Sequence, residues 1–368
     1  MVRLLLACVF FALPLGACQD GSQRAGKIGP DTGPSALTIG PEFLPQFTSA
    51  AFHSTDKAWV VSRKGELLHT SDSGTSWDTI SQTAIARFAV TSFINSRLGW
   101  AINRNGQIWK TLNGGQEWSE LAFPEYEGVH IESPEQIRFV DELHGWIKDA
   151  FSIWRTEDGG VNWVRCLLMG QHESKFWQPT NASFLNASMA WVSSTNGLIH
   201  RTTNGGKTWH TQEVVANHLD VRLVQFINER TGWVSISDGN IYRSDDGGIS
   251  WQRQTLVGDR IAIRSLHFVS SNEGWAVGWQ SSADNRAPQQ RSIQGIILHT
   301  TNGGWNWQPT NINVTESFFA YIYFVDSKHG WLYGRDSLHH TKDGGKTWYT
   351  VLQLPPHNSQ PILVASDR

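Results

Sequence analysis

Cysteine is scarce in this chain of 368 residues: there are three, Cys8, Cys18 and Cys166. The first two fall in the N-terminal leader, which leaves Cys166 without a partner for an internal disulfide. Beside Leu167 and Leu168 on a predicted strand, Cys166 reads as a small buried residue rather than a nucleophile. Charge is sparse as well. Charged residues make up 17% of the chain and the formal net charge is −3, which excludes the global electrostatic footprint of a nucleic-acid-binding protein. No second apolar run is long enough for a membrane span, and no stretch beyond the leader has the 3.6-residue periodicity of an amphipathic helix. The usual signatures of metal, nucleophile and phosphate chemistry are missing: no His-Glu-x-x-His, no Cys-x-x-Cys, no Gly-x-Ser-x-Gly elbow and no phosphate-binding loop. His339 and His340 adjoin on a predicted strand and so should face opposite sides. No cofactor and no metal are expected.

Tryptophan and glycine, by contrast, are plentiful, with 19 and 34 residues, and they are arranged in a repeat. The pattern Ser/Thr-x-Asp/Asn-x-Gly-x-x-Trp occurs at Thr70–Trp77, Thr111–Trp118, Thr156–Trp163, Thr202–Trp209, Ser244–Trp251, Thr300–Trp307 and Thr341–Trp348. A second landmark keeps step with it, a Phe seven positions before a Trp: Phe52/Trp59, Phe93/Trp100, Phe139/Trp146, Phe184/Trp191, Phe226/Trp233, Phe268/Trp275 and Phe324/Trp331. We read Phe as the end of one strand and Trp as the start of the next. A short third strand then leads into the signature, and a fourth follows it. Seven copies of a four-stranded unit predict an all-β, seven-bladed propeller over residues 46–355, because a single blade cannot bury its own faces. Two Trp per repeat are the expected filling. Ring closure is open: Leu37-Thr38-Ile39 could add an outer strand to the last blade, or the blade could close by packing alone.

The third signature position is Asp at 72, 158, 246 and 343 but Asn at 113, 204 and 302. An acid catalyst or hard-metal ligand would not survive that loss of charge. A side-chain oxygen that accepts backbone N–H bonds across a turn would. A basic or imidazole residue precedes each signature (His69, Lys110, Arg155, Arg201, Arg243, His299 and His340). These are expected to cap the third strand and bond to neighbouring-blade backbone.

Residues 1–18 combine Arg3 with an apolar run from Leu4 to Leu15, as in a secretory signal. Leu15-Gly16-Ala17-Cys18 resembles a bacterial lipobox, which implies lipidation of Cys18 and residence in the bacterial cell envelope, at the outer membrane or on the periplasmic side. Residues 19–45, rich in Gly, Pro and Ser, read as a flexible tether, and 356–368 as a C-terminal tail.

The signature resembles the Asp box of the bacterial neuraminidase-repeat families, where it forms the turn between the third and fourth strands on the face opposite the usual active site. Sialidases of that fold need an arginine triad, a Tyr–Glu pair and an Asp. Here Ala36 to His69 contains only Arg63, and Tyr126 between Glu125 and Glu127 lies in an inter-blade loop. Xyloglucanase-type enzymes pair two such rings, and this chain has one. His329-Gly330-Trp331 followed by Thr341-Lys342-Asp343-Gly344-Gly345-Lys346-Thr347-Trp348 resembles more closely the photosystem II stability/assembly factor family. That resemblance implies a non-catalytic assembly scaffold, with a protein partner such as a membrane complex as its target. A glycan-binding or sialidase-like glycoside hydrolase is the alternative.

In a propeller the turns between second and third strands open on the face opposite the signatures. Those turns carry Arg63, Lys64, Arg104, Lys148 and Arg335. In the sixth repeat the two Trp stand 32 positions apart, against 17 or 18 elsewhere, and the extra residues, Gln280 to Gln294, bring Arg286 and Arg291. These seven positive side chains are the expected contact for an acidic protein surface, diluted by Asp149, Asp238, Asp284 and Asp336. Anchoring has its own test. Cys18→Ala should move the protein from the membrane pellet to the soluble fraction, because a lipid chain contributes about 0.8 kcal/mol per buried CH₂. A variant that pellets like wild type would refute the lipobox reading.

Overall fold

Short apolar runs alternate with turn residues in each repeat, and each repeat folds into its own antiparallel sheet. A computed structural model describes residues 47–80, 87–122, 130–166, 178–215, 219–254, 260–282, 292–310 and 313–354. It contains seven four-stranded sheets, each built from four consecutive strands. Among the described residues the one helical element is a single 3-10 turn, Thr195–Gly197. First strands neighbour one another around the ring and are therefore innermost. They are Phe47–Phe52, Phe88–Phe93, Gln136–Phe139, Pro179–Phe184, Val221–Phe226, Ile261–Phe268 and Tyr321–Phe324. Each ends on its landmark Phe, and each landmark Trp is the second residue of the next strand.

The signature forms the turn between third and fourth strands, and its third residue accepts the same backbone N–H whether it is Asp or Asn. Asp72 Oδ1 accepts the Ser76 N–H at 2.9 Å and Asn113 Oδ1 accepts the Glu117 N–H at 2.9 Å. The same bond recurs in the other five repeats at 2.8–3.0 Å. Charge is dispensable for this bond because it needs only a carbonyl-type oxygen. The second side-chain atom accepts from Ser76 when it is the Asp72 oxygen and donates to Glu117 when it is the Asn113 amide. Where the residue is Asp the bonds still matter to it. Burial opposes ionisation of Asp246, but donors from Ser250 and Ser244 outweigh it and bring the carboxyl down to about 2.

Blades are joined by aromatic stacks. The Phe of each blade lies on the landmark Trp of the blade before it: Trp100–Phe139, Trp233–Phe268 and Trp275–Phe324 at 3.5 Å, Trp191–Phe226 at 3.8 Å and Trp59–Phe93 at 4.1 Å, all within 10° of parallel. In these five junctions the signature Trp of the second blade meets the same Phe edge-on, at 78–87°. Such pairs contribute roughly 0.5–1.5 kcal/mol beyond their buried area. The Trp indole N–H also donates across the junction, as from Trp59 to the Gly114 carbonyl at 2.9 Å and from Trp191 to Gly247 at 2.8 Å.

The other face of the landmark Trp is covered by the basic or imidazole residue that precedes each signature, its cross-strand partner in every blade. Lys110, Arg201 and Arg243 lie 5.0–5.9 Å above Trp100, Trp191 and Trp233. His69, His299 and His340 lie 4.3–4.8 Å from Trp59, Trp275 and Trp331. Arg243 goes further and bonds to Ser271 and Gly303 carbonyls of the next blade at 2.9 and 3.1 Å, which is the expected neighbouring-blade contact. A Cβ on Gly303 would stand 1.7 Å from that guanidinium.

One correction concerns the tryptophans. All seven landmark Trp are fully buried, but of the signature Trp only Trp163, Trp307 and Trp348 are; Trp77, Trp118, Trp209 and Trp251 are half-buried. They follow the turn that leads to the outermost strand, where no further sheet covers them.

Stack spacing is set by one atom. Five landmark Trp follow Gly, and the Phe ring lies directly over that Gly: a Cβ on Gly145 would sit 2.6 Å from the Phe139 ring. In blades 1 and 4 the residue is Ala58 or Ala190, opposite Phe52 and Phe184. There the stacks widen to 5.2 Å (Trp331–Phe52) and 5.4 Å (Trp146–Phe184). The ring closes by packing. Phe52 stacks on Tyr323 and Trp331, Phe47 packs on Tyr333, and the Trp77 indole donates to the Val351 carbonyl at 3.0 Å. The last blade has its four strands without Leu37-Thr38-Ile39, which lie outside the described residues. Gly145→Ala should therefore cost about 1–3 kcal/mol, the scale of overpacking in a filled core. In urea denaturation Lys64→Ala, an exposed turn change, should stay within about 0.5 kcal/mol of wild type. Equal midpoints for the two variants would contradict the role of that glycine.

Candidate functional site at the mouth of the central channel

The inner strands carry an irregularity at one repeated place. In five blades the register of first and second strands slips by one residue four positions before the landmark Phe. The bulged residues are Thr48, Ala89, Thr180, Arg222 and Arg264. Glu135 and Ala320 hold the same position in blades 3 and 7, where their N–H groups bond to Lys148 and Tyr333 carbonyls. A bulge leaves its residue out of the ladder and re-aims its side chain. Seven such positions make a ring at the start of the inner strands, on the face opposite the signature turns. Four consecutive members (Glu135, Thr180, Arg222 and Arg264) line a cavity of about 320 Å³ together with Pro179, Asp220, Leu223 and Ile263. Arg264 stacks on Trp279, 5.4 Å from its ring, and burial, with the charge of Arg222 adding, pulls its pKa below the ordinary arginine value.

Further along the channel, side chains stitch the inner strands together. Ser92 accepts the Phe139 N–H at 3.0 Å, Ser183 that of Phe226 at 2.9 Å and Gln225 that of Phe268 at 2.8 Å. Arg138 occupies this level, and its charge reaches His267, Tyr321 and Tyr323 of blades 6 and 7. Burial pushes the Tyr321 phenol up to about 12, Tyr323 adding and Arg138 opposing.

The sequence-predicted contact residues fare differently. Arg63 is half-buried, Lys64 and Arg104 are exposed, and Arg104 Nη2 donates to the Arg63 carbonyl at 2.9 Å, so blades 1 and 2 bring these three together. Arg335 is half-buried with Asp336 at 3.6 Å. Lys148 must be corrected: it is fully buried, pairs with Gln136 and Ile153 in the sheet, and binds Glu135. Asp149 is buried too, capping its own turn at the Phe151 and Ser152 N–H groups and the Trp154 indole. Arg286 and Arg291 lie outside the described residues, as do Cys18 and Tyr126. The sixth-repeat insertion lengthens a hairpin rather than a turn, since its strands pair out to Ser282 and Ser292.

Two arrangements that look chemical are sealed. Ser337 bonds Glu316 and His339, and His339 bonds Thr350, but Ser337 and His339 are 1% and 2% exposed. His340 faces the other way, onto Trp331. Burial raises the Cys166 thiol to about 11, so no thiolate is available. Among the described residues no group of three His, Cys, Asp or Glu could hold a metal.

Burial holds His200, His267 and His340 down to about 4. The unfolded chain then takes up protons below its ordinary histidine value of about 6.5 while the folded chain does not. Stability should be flat above about pH 6.5 and fall as pH drops towards 4, which urea midpoints across that window would measure. A midpoint that rises over the same interval would contradict these burials.

No family model matches the chain, and no curated protein matches it by sequence. Its fold matches solved structures. YCF48 bound to a D1 peptide superposes with TM-score 0.62 at 20% identity, covering 82% of this chain and 96% of that one. YCF48 from Cyanidioschyzon merolae gives 0.62 at 16%, covering 81% and 95%. The GH74 xyloglucanase from Xanthomonas campestris gives 0.60 at 12%, covering 86% of this chain but 55% of the enzyme. These similarities establish a seven-bladed propeller of the kind seen in YCF48, and at such identities they establish the fold alone.

Proposed function

We propose that this chain is a non-catalytic scaffold that holds a protein partner with an acidic surface against the face opposite its signature turns. The observation that carries the reading is the contact between Arg104 and the Arg63 backbone. It joins Arg63, Lys64 and Arg104 across two blades, and none of the three has a carboxylate partner among the described residues. Unpaired positive groups on one face of a protein of net charge −3 favour an acidic partner through complementary potential. Support of a coarser kind comes from YCF48, a propeller of the same fold that has been seen with a bound D1 peptide. Likeness to a xyloglucanase is likeness of scaffold and carries no catalytic residue onto this chain. The lipobox-like Cys18 adds attachment to a membrane in the cell envelope, where a membrane complex would be the natural client.

Membrane extracts passed over the immobilised protein provide the test. Arg63→Glu/Lys64→Glu/Arg104→Glu should lose about tenfold or more of the captured partner at low salt, and wild-type capture should weaken as salt rises. The fold should survive, because exposed charges contribute little stability. Undiminished capture by a folded triple variant at low salt would place the binding surface elsewhere.

A further inference from the structure

The cavity at the channel mouth holds two guanidinium groups without a counter-ion. Arg222 and Arg264 are bulged residues of adjacent blades and line the same space of about 320 Å³. Neither makes a hydrogen bond or ion pair among the described residues. Three other basic residues of the blades are answered by carboxylates: Arg243 by Asp245, Arg155 by Glu157, Lys148 by Glu135. Arg264 is half-buried and held by Trp279 on the lengthened hairpin of the sixth blade, so it cannot simply swing into solvent. Two like charges kept close in a partly desolvated recess repel each other unless an anion lies between them. Paired guanidinium groups are suited to a planar carboxylate.

The carboxylates that line the same cavity, Glu135 and Asp220, limit which anion. Glu135 is already bound to Lys148. Asp220 accepts one bond, from the Asn196 N–H at 3.2 Å on Oδ1, and keeps acceptor capacity for a ligand donor. A phosphate dianion would set its second charge against these two carboxylates. A single carboxylate with an O–H or N–H donor beside it would satisfy both the arginines and Asp220. The volume lies at the lower end of small-molecule sites.

We propose that this cavity is a binding site for a small organic carboxylate of the α-hydroxy or α-amino acid class, its carboxylate held between Arg222 and Arg264 and its neighbouring donor directed to Asp220. The site lies on blades 3 to 6 and does not rest on the scaffold reading, whose residues lie on blades 1 and 2.

Isothermal titration calorimetry of the whole protein at low salt tests it with three probes of nearly equal size: lactate, alanine and propionate. Lactate or alanine should bind about tenfold tighter than propionate, and inorganic phosphate more weakly than either. Arg222→Gln and Arg264→Gln should each weaken binding by about tenfold or more, the scale of one charge-assisted hydrogen bond. Asp220→Asn should abolish the preference over propionate, and Lys207→Glu, at an exposed residue of a signature turn, should change nothing. If Arg264→Gln fails to fold, Arg222→Gln, at an exposed side chain, carries the same test. The proposal is overturned if neither lactate nor alanine binds, if propionate or phosphate binds as well as they do, or if binding survives loss of Arg222.

Discussion

Everything in this ring depends on a flat contact between a Trp and a Phe from successive blades. The strand ladder ends at the edge of each four-stranded sheet, so the sheets cohere through the side chains and scattered hydrogen bonds that lie between them. The repeated layer is a basic or imidazole group, then Trp, then Phe, then a second Trp at right angles. Each blade contributes to the layer on both of its sides. That explains why two sequence landmarks stay in step across seven repeats while most other positions vary. It also explains the glycine before the landmark Trp, since a single methyl group there widens the stack from about 3.5 to more than 5 Å.

The two ends of the strands have different duties. At the signature end, side-chain oxygens and left-handed glycines close the outer hairpins, and charge can be exchanged for a neutral amide without losing the bond to the backbone N–H. At the other end the corresponding positions are free to differ. The bulged column reads Thr, Ala, Glu, Thr, Arg, Arg, Ala around the ring, and such variation within an otherwise constrained repeat is what a binding surface requires. Symmetry of the scaffold and asymmetry of the mouth are thus properties of opposite ends of the same strands.

Much of this was legible in the residues. Seven blades, their strand order and the Asx role of the signature follow from spacing and from the Asp/Asn exchange. The partners of His69 and its equivalents were legible only in part. Their approach to neighbouring-blade backbone could be expected, but their place on the Trp face needs the cross-strand register. Lys148 was misread because a turn count puts it at the surface, whereas the bond that buries it comes from Glu135, thirteen residues earlier. Arg222 and Arg264 escaped notice because a bulge breaks the two-residue alternation by which inward and outward side chains are told apart. The signal was nevertheless present: both stand four residues before a landmark Phe, the column that lines the cavity.

Each blade is one continuous stretch of chain, and among the described residues the first and seventh share no sheet. At that junction the stack is widened, and among the described residues the indole N–H of Trp331 has no partner, where the six other junctions have an indole–carbonyl bond. The signature facing it has Ser73 where the other six repeats have glycine before the invariant Gly. Mechanically the molecule is an open arc of six joints fastened by a clasp. A pull between Phe47 and Leu354 loads the clasp before it loads any sheet, so tension on this protein would first turn a closed ring into a curved ribbon with its blades intact.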